Sequence, residues 1–457
     1  MGKTVEKGML APLKNILQTH PHPNESLRTL YPHPGRKIMA ITPLRIVLLT
    51  YHKTNGGAGI ACGRLAEALR NAGHEVTYLD AGDLAKNTFQ KAMAWLRFVL
   101  ERLYFLRHER DKSIRFLFNP GIFGQDLSKH PALIQADIIH LHWVNFGFLG
   151  IQDIQKLLDM GKPVFWTLHD MWAFTGGCHH SRTCTRYEES CGKCAFLKTP
   201  SDTDLSHQLW TKKLRAFQSK NLKIITCSDW LEQKAKASSL LSKHEIQSIP
   251  NALNLHSFSP AQKTVIKTNL GLPFQKKYIL FVAMRASAPA KGFSYLKEAL
   301  EHWVKANPAA KKDTELLVIG EVHEPAVFES LALPVKLVEK VTDHKKMTEY
   351  YNAADVFVTP SLEENLPNTL MEAMACGTPC VGFQVGGIPE MIDHQTNGYV
   401  AKSLDAEDLS LGIQWVFDHP EASQAARKKV ESTYAEQIVA EKHLDFYQKA
   451  LSEISHA

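Results

Sequence analysis

Apolar runs of strand length recur along the first half of the chain, with helical patterns between most of them. The run LRIVLLT, residues 44–50, is apolar on both faces, as parallel strands buried in a sheet are. Similar runs occupy residues 75–79, 138–142, 164–168 and 224–227. Strands that alternate with helices predict a parallel sheet, so this half is expected to be α/β.

The pattern pauses at residues 249–260 and then repeats. New strands are predicted at residues 278–283, 315–319, 356–359 and 379–383. We therefore expect two Rossmann-like doubly wound domains, residues 44–262 and 263–434, with the carboxyl ends of their strands facing a central cleft. The polar helix of residues 435–457 is expected to pack back on the first domain.

The amino-terminal residues 1–43 are rich in Pro, His and charge, which predicts a flexible tail. Met39 directly precedes the first strand, and we take it as a candidate true start. Neither a secretory signal nor an apolar run of about 18 residues is present, so a cytoplasmic protein is expected. Because that compartment is reducing, the eight cysteines are expected to be free thiols or metal ligands rather than disulfides.

Composition narrows the class of protein. At 457 residues, with 44% hydrophobic and 22% charged residues, the chain is typical of a soluble two-domain enzyme. A net charge of +6 suits polyanionic substrates such as nucleotide diphosphates, or an anionic membrane surface. No nucleic-acid-binding motif is present, so nucleic acid is not an expected partner.

Two glutamates mark the strongest candidate site, in PSLEENLPNTLMEAMACGTPC from Pro360. Glu364 follows a predicted strand, and Glu372 lies eight residues later in a helix that begins near Pro367 and ends at Gly377. Both carboxylates can face the cleft, while free N–H groups at the helix start can meet an anion. This arrangement suits a nucleotide sugar.

The segment resembles the signature of glycosyltransferase family 4, whose members have the GT-B fold and retain the anomeric configuration. The resemblance implies that Glu372 binds the ribose of a nucleotide diphosphate sugar and that Glu364 lies at the reaction centre. It also implies that the first domain takes the acceptor and the second the donor. Asn365 and Leu366 replace the glycines that many members carry beside the donor phosphates, and Pro367 removes one amide donor.

Two further loops match the family by position. Lys291 and Arg285, in a strand-to-helix loop, are expected to neutralise the donor diphosphate. Gly57 lies in a glycine-rich turn that resembles the family's turn, which approaches the donor phosphate or the acceptor across the cleft. That turn lacks the GxGxxG pattern, and Asp80 is the one acidic candidate for a dinucleotide ribose, which argues against a dehydrogenase.

His169 follows the predicted strand at residues 164–168. The resemblance implies that it contacts the transferred sugar and helps to orient the acceptor. A purely structural role for this histidine is the alternative. The following loop holds four cysteines, Cys178, Cys184, Cys191 and Cys194. They could hold a structural zinc ion, although the family chemistry needs no metal, so free thiols or a disulfide stay open.

Residues 89–118 mix aromatic and aliphatic residues with five arginines. Such a basic amphipathic segment can lie on an anionic membrane surface, where lipid-linked acceptors reside, or it can pack on the first sheet with its arginines in solvent. Both alternatives stay open, as does peripheral contact with the inner face of the plasma membrane.

Together these features predict a retaining glycosyltransferase that moves a sugar from a nucleotide diphosphate sugar to a growing cell-envelope or extracellular polysaccharide. Glu364 and His169 are the candidate catalytic residues. The donor-binding candidates are Glu372, Lys291, Arg285, Gly57, Asn365 and Leu366. A sugar-nucleotide epimerase or phosphorylase of the same architecture, and a non-catalytic nucleotide-sugar-binding protein, are the alternatives.

Overall fold

The computed structural model describes residues 42–54, 56–322, 328 and 330–455, and these form two six-stranded parallel sheets. The first sheet contains β1 Arg45–Leu49, β2 Glu75–Leu79, β3 Ile138–Leu141, β4 Val164–Leu168, β5 Leu222–Thr226 and β6 Glu245–Ser248. The second contains β7 Lys277–Arg285, β8 Thr314–Glu321, β9 Val335–Val338, β10 Val356–Thr359, β11 Cys380–Phe383 and β12 Gly398–Ala401. The predicted α/β class is therefore confirmed.

The strand order gives each sheet one switch point, where the chain changes its direction of growth. The first sheet runs β2-β1-β3-β4-β5-β6 and the second β12-β11-β10-β7-β8-β9. The switch points lie between β1 and β3 and between β7 and β10. In open α/β sheets the crevice beyond the strand ends at such a point is the usual ligand site.

Helices connect the strands and cover the sheets. They are α1 Gly57–Asn71, α2 Ala81–Leu84, α3 Thr88–Leu106, α4 Pro131–Gln135, α5 Ile151–Leu158, α6 Leu205–Ala216, α7 Asp229–Ala237, α8 Lys263–Asn269, α9 Phe293–Ala306, α10 His344–Ala353, α11 Asn368–Ala375, α12 Ile388–Met391, α13 Ala406–Asp418, α14 Ala422–Thr433 and α15 Glu436–Ser455. None of the helices in the described ranges combines the length and the apolar character that crossing a bilayer requires.

The last helix, α15, packs on the first sheet. Val439, Phe446 and Tyr447 are buried in one cluster with Ile46 and Leu48 of β1. The hydroxyl of Tyr447 also lies 2.6 Å from Nδ1 of His140 in β3. The carboxyl end of the chain thus completes the apolar cover of a sheet formed by its beginning.

Three strands, β6, β9 and β12, are not predicted from the apolar pattern. Each is four residues long and only partly buried. Short strands at a sheet edge, or next to one, need no continuous apolar run, so the pattern gives no signal for them. Gly73 follows α1 with φ 92°, as a helix-ending glycine does. Residues 1–41, which hold most of the predicted tail and Met39, lie outside the described residues.

Candidate active site

Hydrogen bonds join loops at the strand ends of the two sheets. Oγ of Ser228, after β5, donates to Oδ1 of Asn365 at 2.5 Å. Nδ2 of Asn365 donates to the carbonyl of His169 at 3.3 Å, and Nδ2 of Asn368 donates to the carbonyl of Gly57 at 3.0 Å. The structure therefore brings Gly57 against Asn368 and His169 against Asn365, from distant parts of the chain.

Glu364 and Lys291 meet at the switch point between β7 and β10. Nζ of Lys291 lies 2.7 Å from Oε2 of Glu364, and both side chains are partly exposed. Their loops touch closely: Gly292 has φ 66°, and a Cβ there would lie 1.8 Å from the carbonyl oxygen of Pro360. Only glycine fits this approach, so the cation and the carboxylate are held side by side.

Glu372 lies on the buried face of α11 with both carboxylate oxygens engaged. The hydroxyl of Tyr351 donates to Oε2 at 2.7 Å, and Nη2 of Arg64 from α1 lies 2.5 Å from Oε1. The second guanidinium nitrogen, Nη1 of Arg64, is buried without a hydrogen-bond partner. Burial and the neighbouring Glu372 raise the pKa of the Tyr351 phenol, so the hydroxyl stays a donor.

The start of α11 differs slightly from the expected form. Pro367 is the N-cap residue, not the first helical residue, and α11 begins at Asn368. The N–H of Leu370 donates to the carbonyl of Pro367 at 3.2 Å, whereas the N–H groups of Asn368 and Thr369 precede the helical hydrogen-bond pattern and stay available to an anion. Asn365 and Leu366 are buried, and the Asn365 side chain is used to bridge the two halves.

His169 follows β4, and both of its ring nitrogens have protein partners. Nε2 lies 2.9 Å from Nδ1 of His142, and Nδ1 lies 3.5 Å from Sγ of Cys227. Burial lowers the pKa of His169 to about 4. The imidazole is therefore neutral at neutral pH, where it can orient a hydroxyl but is not a ready proton donor.

Asp170 anchors the loop after β4. It accepts hydrogen bonds from Nε1 of Trp143 at 2.8 Å and the N–H of Trp172 at 2.8 Å, and it pairs with Nδ1 of His179 at 2.7 Å. Burial acts to raise the pKa of Asp170, but His179 and the hydrogen bonds hold it at about 2. This carboxylate is a fixed structural charge beside His169.

Two other candidates lie in less enclosed positions. Arg285 ends β7 with its side chain exposed, in register with Glu321 of β8. Asp80 accepts a hydrogen bond from the N–H of Asp83 and caps α2. Because Asp80 is used as a helix cap, it is a poor candidate for binding a dinucleotide ribose.

The four cysteines of the loop after β4 line one small cavity of about 30 Å³. Cys178, Cys191 and Cys194 are partly buried, whereas Cys184 is exposed. Burial raises the pKa of Cys191 to about 12 and that of Cys194 to about 11. Across the described ranges, no three His, Cys, Asp or Glu side chains are arranged to hold a metal ion.

Several site residues have no signal in the sequence. Arg64 reaches Glu372 from 308 positions away, and Tyr351 reaches it from α10. The carboxylate of Glu390 accepts the N–H groups of Asp229 and Trp230 at 2.8 and 2.7 Å, at the start of α7. Of these contacts only that of Glu390 follows a general rule, because carboxylates are favoured near the amino-terminal ends of helices.

Two family models match adjoining parts of the chain. Residues 55–257 match Glycosyltransferase Family 4, and residues 276–419 match Glycosyl transferases group 1. The first covers the first sheet with its helices, and the second covers the second sheet. The matched ranges contain all the candidate site residues described above.

Similar proteins carry the same kind of name. An uncharacterised glycosyltransferase of Methanocaldococcus jannaschii is 24% identical over 434 residues, which is 89% of this chain and 99% of that protein. A D-inositol 3-phosphate glycosyltransferase of Geodermatophilus obscurus is 25% identical over 219 residues, which is 46% of this chain and 48% of that protein. The chain thus matches about half the length of the second relative.

Solved structures share the architecture. Sucrose-phosphate synthase from Thermosynechococcus elongatus has a TM-score of 0.57 at 18% identity, covering 89% of this chain and 99% of that one. Anabaena HepE in complex with UDP has a TM-score of 0.59 at 14% identity, covering 88% and 99%. These likenesses show that the chain has the GT-B fold. The two family models show that it is a glycosyltransferase and belongs to glycosyltransferase family 4.

Proposed function

We propose that this enzyme moves a sugar from a nucleotide diphosphate sugar to a hydroxyl of a growing cell-envelope or extracellular polysaccharide, with retention of anomeric configuration. The observation that carries the proposal is the 2.7 Å pair of Lys291 and Glu364 at the switch point between β7 and β10. A cation for the leaving diphosphate and a carboxylate for the sugar stand together there.

The proposed donor site divides its tasks among separate groups. Lys291 and Arg285 meet the diphosphate, and the free amides at the start of α11 add donors. The carboxylate of Glu372 accepts hydrogen bonds from the ribose hydroxyls, since each of its oxygens has lone-pair capacity beyond Arg64 and Tyr351. Gly57 borders the same space through its contact with Asn368.

The proposed chemical step is a front-face displacement. The bond from the anomeric carbon to the diphosphate oxygen breaks, and the acceptor oxygen bonds to the same face of that carbon. The acceptor proton passes to the departing diphosphate, whose developing charge Lys291 stabilises. Glu364 holds the sugar and Lys291 in position, and neutral His169 orients a hydroxyl.

The polysaccharide product and the cellular location of the enzyme are also part of this proposal. One structural neighbour, WaaG, is described as a glycosyltransferase involved in lipopolysaccharide biosynthesis; it has a TM-score of 0.52 at 14% identity and covers 90% of this chain. HepE was crystallised with UDP-glucose as well as UDP. We infer work in the cytoplasm, at the inner face of the plasma membrane, where lipid-linked acceptors are exposed.

The transfer is proposed to need no cofactor, because side-chain cations and amides supply the charge that the leaving group requires. A structural zinc ion at the loop of Cys178, Cys184, Cys191 and Cys194 stays an open alternative to free thiols or a disulfide there. Elemental analysis of the purified protein decides it: one zinc per chain supports a structural site, and absence of zinc leaves free thiols or a disulfide.

The first experiment is a thermal-shift screen against UDP, GDP, TDP and ADP sugars, because a donor stabilises the fold according to its affinity. The stabilising donor is then incubated with glycan acceptors, and the anomeric configuration of the product is read by NMR. Lys291→Ala and Glu372→Ala should each abolish transfer.

Wild-type turnover in both variants would refute the site. Donor binding without acceptor-dependent nucleotide release would instead indicate an epimerase or a non-catalytic binding protein. Release that depends on inorganic phosphate would indicate a phosphorylase.

A further inference from the structure

Helix α3 turns an apolar face to solvent. The exposed large apolar side chains of this 19-residue helix fall within an arc of about 120°, as counted at 3.6 residues per turn. Large side chains on the arc are strongly exposed, with Phe89 at 74% and Trp95 at 66% of their full accessible area. The exposed set, here called the α3 face, is Phe89, Trp95, Leu96, Leu103, Leu106 and, beyond the helix, Phe116.

The opposite side of α3 fixes which face looks outward. Glu101 is fully buried and accepts the N–H groups of Gly121, Ile122 and Phe123. Phe105, one turn later, stacks on Phe118 with ring centroids 4.8 Å apart. A buried carboxylate with three donors cannot rotate outward without losing all of them, so the apolar face is held in solvent.

The charges around the α3 face differ from those expected from the sequence. Arg102 and Arg115 both pair with buried Glu109, at 3.2 and 2.7 Å, and Arg97 donates to the carbonyl of Gly147. These three arginines therefore make contacts within the protein that stabilise the fold. The exposed cations beside the face are instead Lys86, Lys91, Arg107 and Lys112.

No carboxylate opposes those cations on the helix itself, because Glu101 is the one acidic residue of α3 and it is buried. Asp111, just beyond the helix, pairs with Arg110 at 2.9 Å. An apolar surface edged by cations complements an anionic lipid surface, which supplies acyl chains for the aromatics and phosphates for the lysines.

The α3 face is continuous with the candidate active site. The ring of exposed Phe116 lies 5.9 Å from that of Phe146, which lies 5.3 Å from the ring of Trp143. Nε1 of Trp143 donates to Asp170, the neighbour of His169. A chain of packed aromatic rings thus leads from the exposed surface to the loop beside the reaction centre.

We propose that the α3 face docks this enzyme on an anionic lipid bilayer, with Trp95, Leu103 and Leu106 in the headgroup–acyl boundary. The inference deepens the proposed function and rests on it only for the location of the acceptor. Docked in this way, the aromatic chain from Phe116 to Trp143 places the acceptor side of the cleft near the membrane surface.

A second copy of the chain fits this face less well. A two-fold contact would set the same surface against itself and bring the cations Lys91 and Arg107 of the two copies together without carboxylates to offset them. Lipid phosphates remove that repulsion, so the charge pattern favours a bilayer over self-association.

The test is co-sedimentation of the full chain with vesicles, without donor or acceptor. We expect binding to vesicles of phosphatidylcholine mixed with phosphatidylglycerol and much weaker binding to phosphatidylcholine alone. The double variant Trp95→Ser/Leu103→Ser should lose at least about tenfold in partitioning, because both side chains forfeit apolar burial. Lys91→Gln/Arg107→Gln should reduce the preference for the anionic vesicles.

The matched control is Phe274→Ser/Leu411→Ser, which removes two apolar side chains that are 56% exposed elsewhere on the molecule. It should bind vesicles as the wild type does. Equal loss in both double variants, or no binding of the wild type, would overturn the proposal. A lipid-free dimer that Trp95→Ser dissociates would also overturn it and make the face a protein interface.

Because sedimentation needs no turnover, its result is independent of the proposed reaction. Vesicle binding in a protein without transferase activity would retain the docking surface and reject the function. A protein that does not bind vesicles but transfers sugar fully to a water-soluble acceptor would reject the docking surface and retain the function.

Discussion

Arg64 and Glu372, 308 positions apart in the chain, form an ion pair of 2.5 Å between α1 and α11. Each side chain is about one tenth exposed, and the guanidinium also lies over the ring of Phe258 at 5.2 Å. The pair joins a helix of the first sheet to the carboxylate that is proposed to bind the donor ribose. The same ion pair is therefore expected to affect both the stability of the fold and the binding of the donor.

Breaking this pair should destabilise the fold. Arg64→Met leaves the Glu372 carboxylate buried with Tyr351 as its remaining partner, and an uncompensated buried charge costs about 3 kcal/mol. Denaturant unfolding measures the loss. Arg70→Met, on the exposed part of the same helix, is the control and should cost less than about 1 kcal/mol. Similar losses in both would mean that the pair contributes no more than a surface contact.

Replacing Glu372 should weaken binding of the nucleotide but not of inorganic diphosphate. Glu372→Gln removes the charged acceptor for the ribose hydroxyls, and hydrogen bonds to charged groups justify a loss of about tenfold or more in affinity. Calorimetric titration of both ligands separates the ribose contact from the phosphate contact. Glu363→Gln, beside the site and 3.3 Å from Arg182, should leave both affinities unchanged. Parallel loss for both ligands would point to general disruption of the site.

Gly386 should be essential for the Glu364 loop. It has φ 57°, and a Cβ there would lie 1.6 Å from the carbonyl oxygen of Glu364. Gly386→Ala must move that loop, so donor binding should fall together with stability. Gly161→Ala is the matched control, because Gly161 has φ 72° but no atom within 4 Å of the added Cβ. It should cost about 1 kcal/mol of backbone strain and keep full donor affinity.

Acidification should destabilise the protein through its buried histidines. Burial lowers the pKa of His140, His142, His169 and His443, to about 4 for the last two. Between about pH 6.5 and pH 4 the unfolded chain binds protons that the folded chain does not, so stability falls as the pH falls. Unfolding measured across this window should show the trend.

His443→Leu should make that fall shallower by about 1.4 kcal/mol per pH unit, the linkage of one proton. His256→Leu changes an exposed histidine and should leave the slope as it is. A slope that neither variant alters would assign the acid sensitivity to groups other than His443.

The site illustrates where prediction from the sequence ends. The spacing of Glu364 and Glu372 is local, as are the helix between them and the glycine that closes it, so the sequence reveals them. The contact of Glu364 with Lys291 requires two loops of one sheet to meet. Arg64 and Ser228 reach the site from the other sheet, and no local pattern reports such contacts.

The helix α3 shows the same limit for surfaces. Its periodicity predicts an amphipathic helix but not which face is buried. That choice depends on Glu101, whose three N–H donors come from residues 121–123. Three of the five arginines expected in solvent or on a membrane, Arg97, Arg102 and Arg115, contact Gly147 or Glu109 instead.

The sequence by itself determined the α/β class, most of the strands and the reaction class, because apolar periodicity and short motifs are local properties of the chain. The tertiary structure decided the partners of each charged side chain, the neutral state of His169 and the exposed side of α3. These depend on which groups burial brings together, and burial is a property of the whole fold.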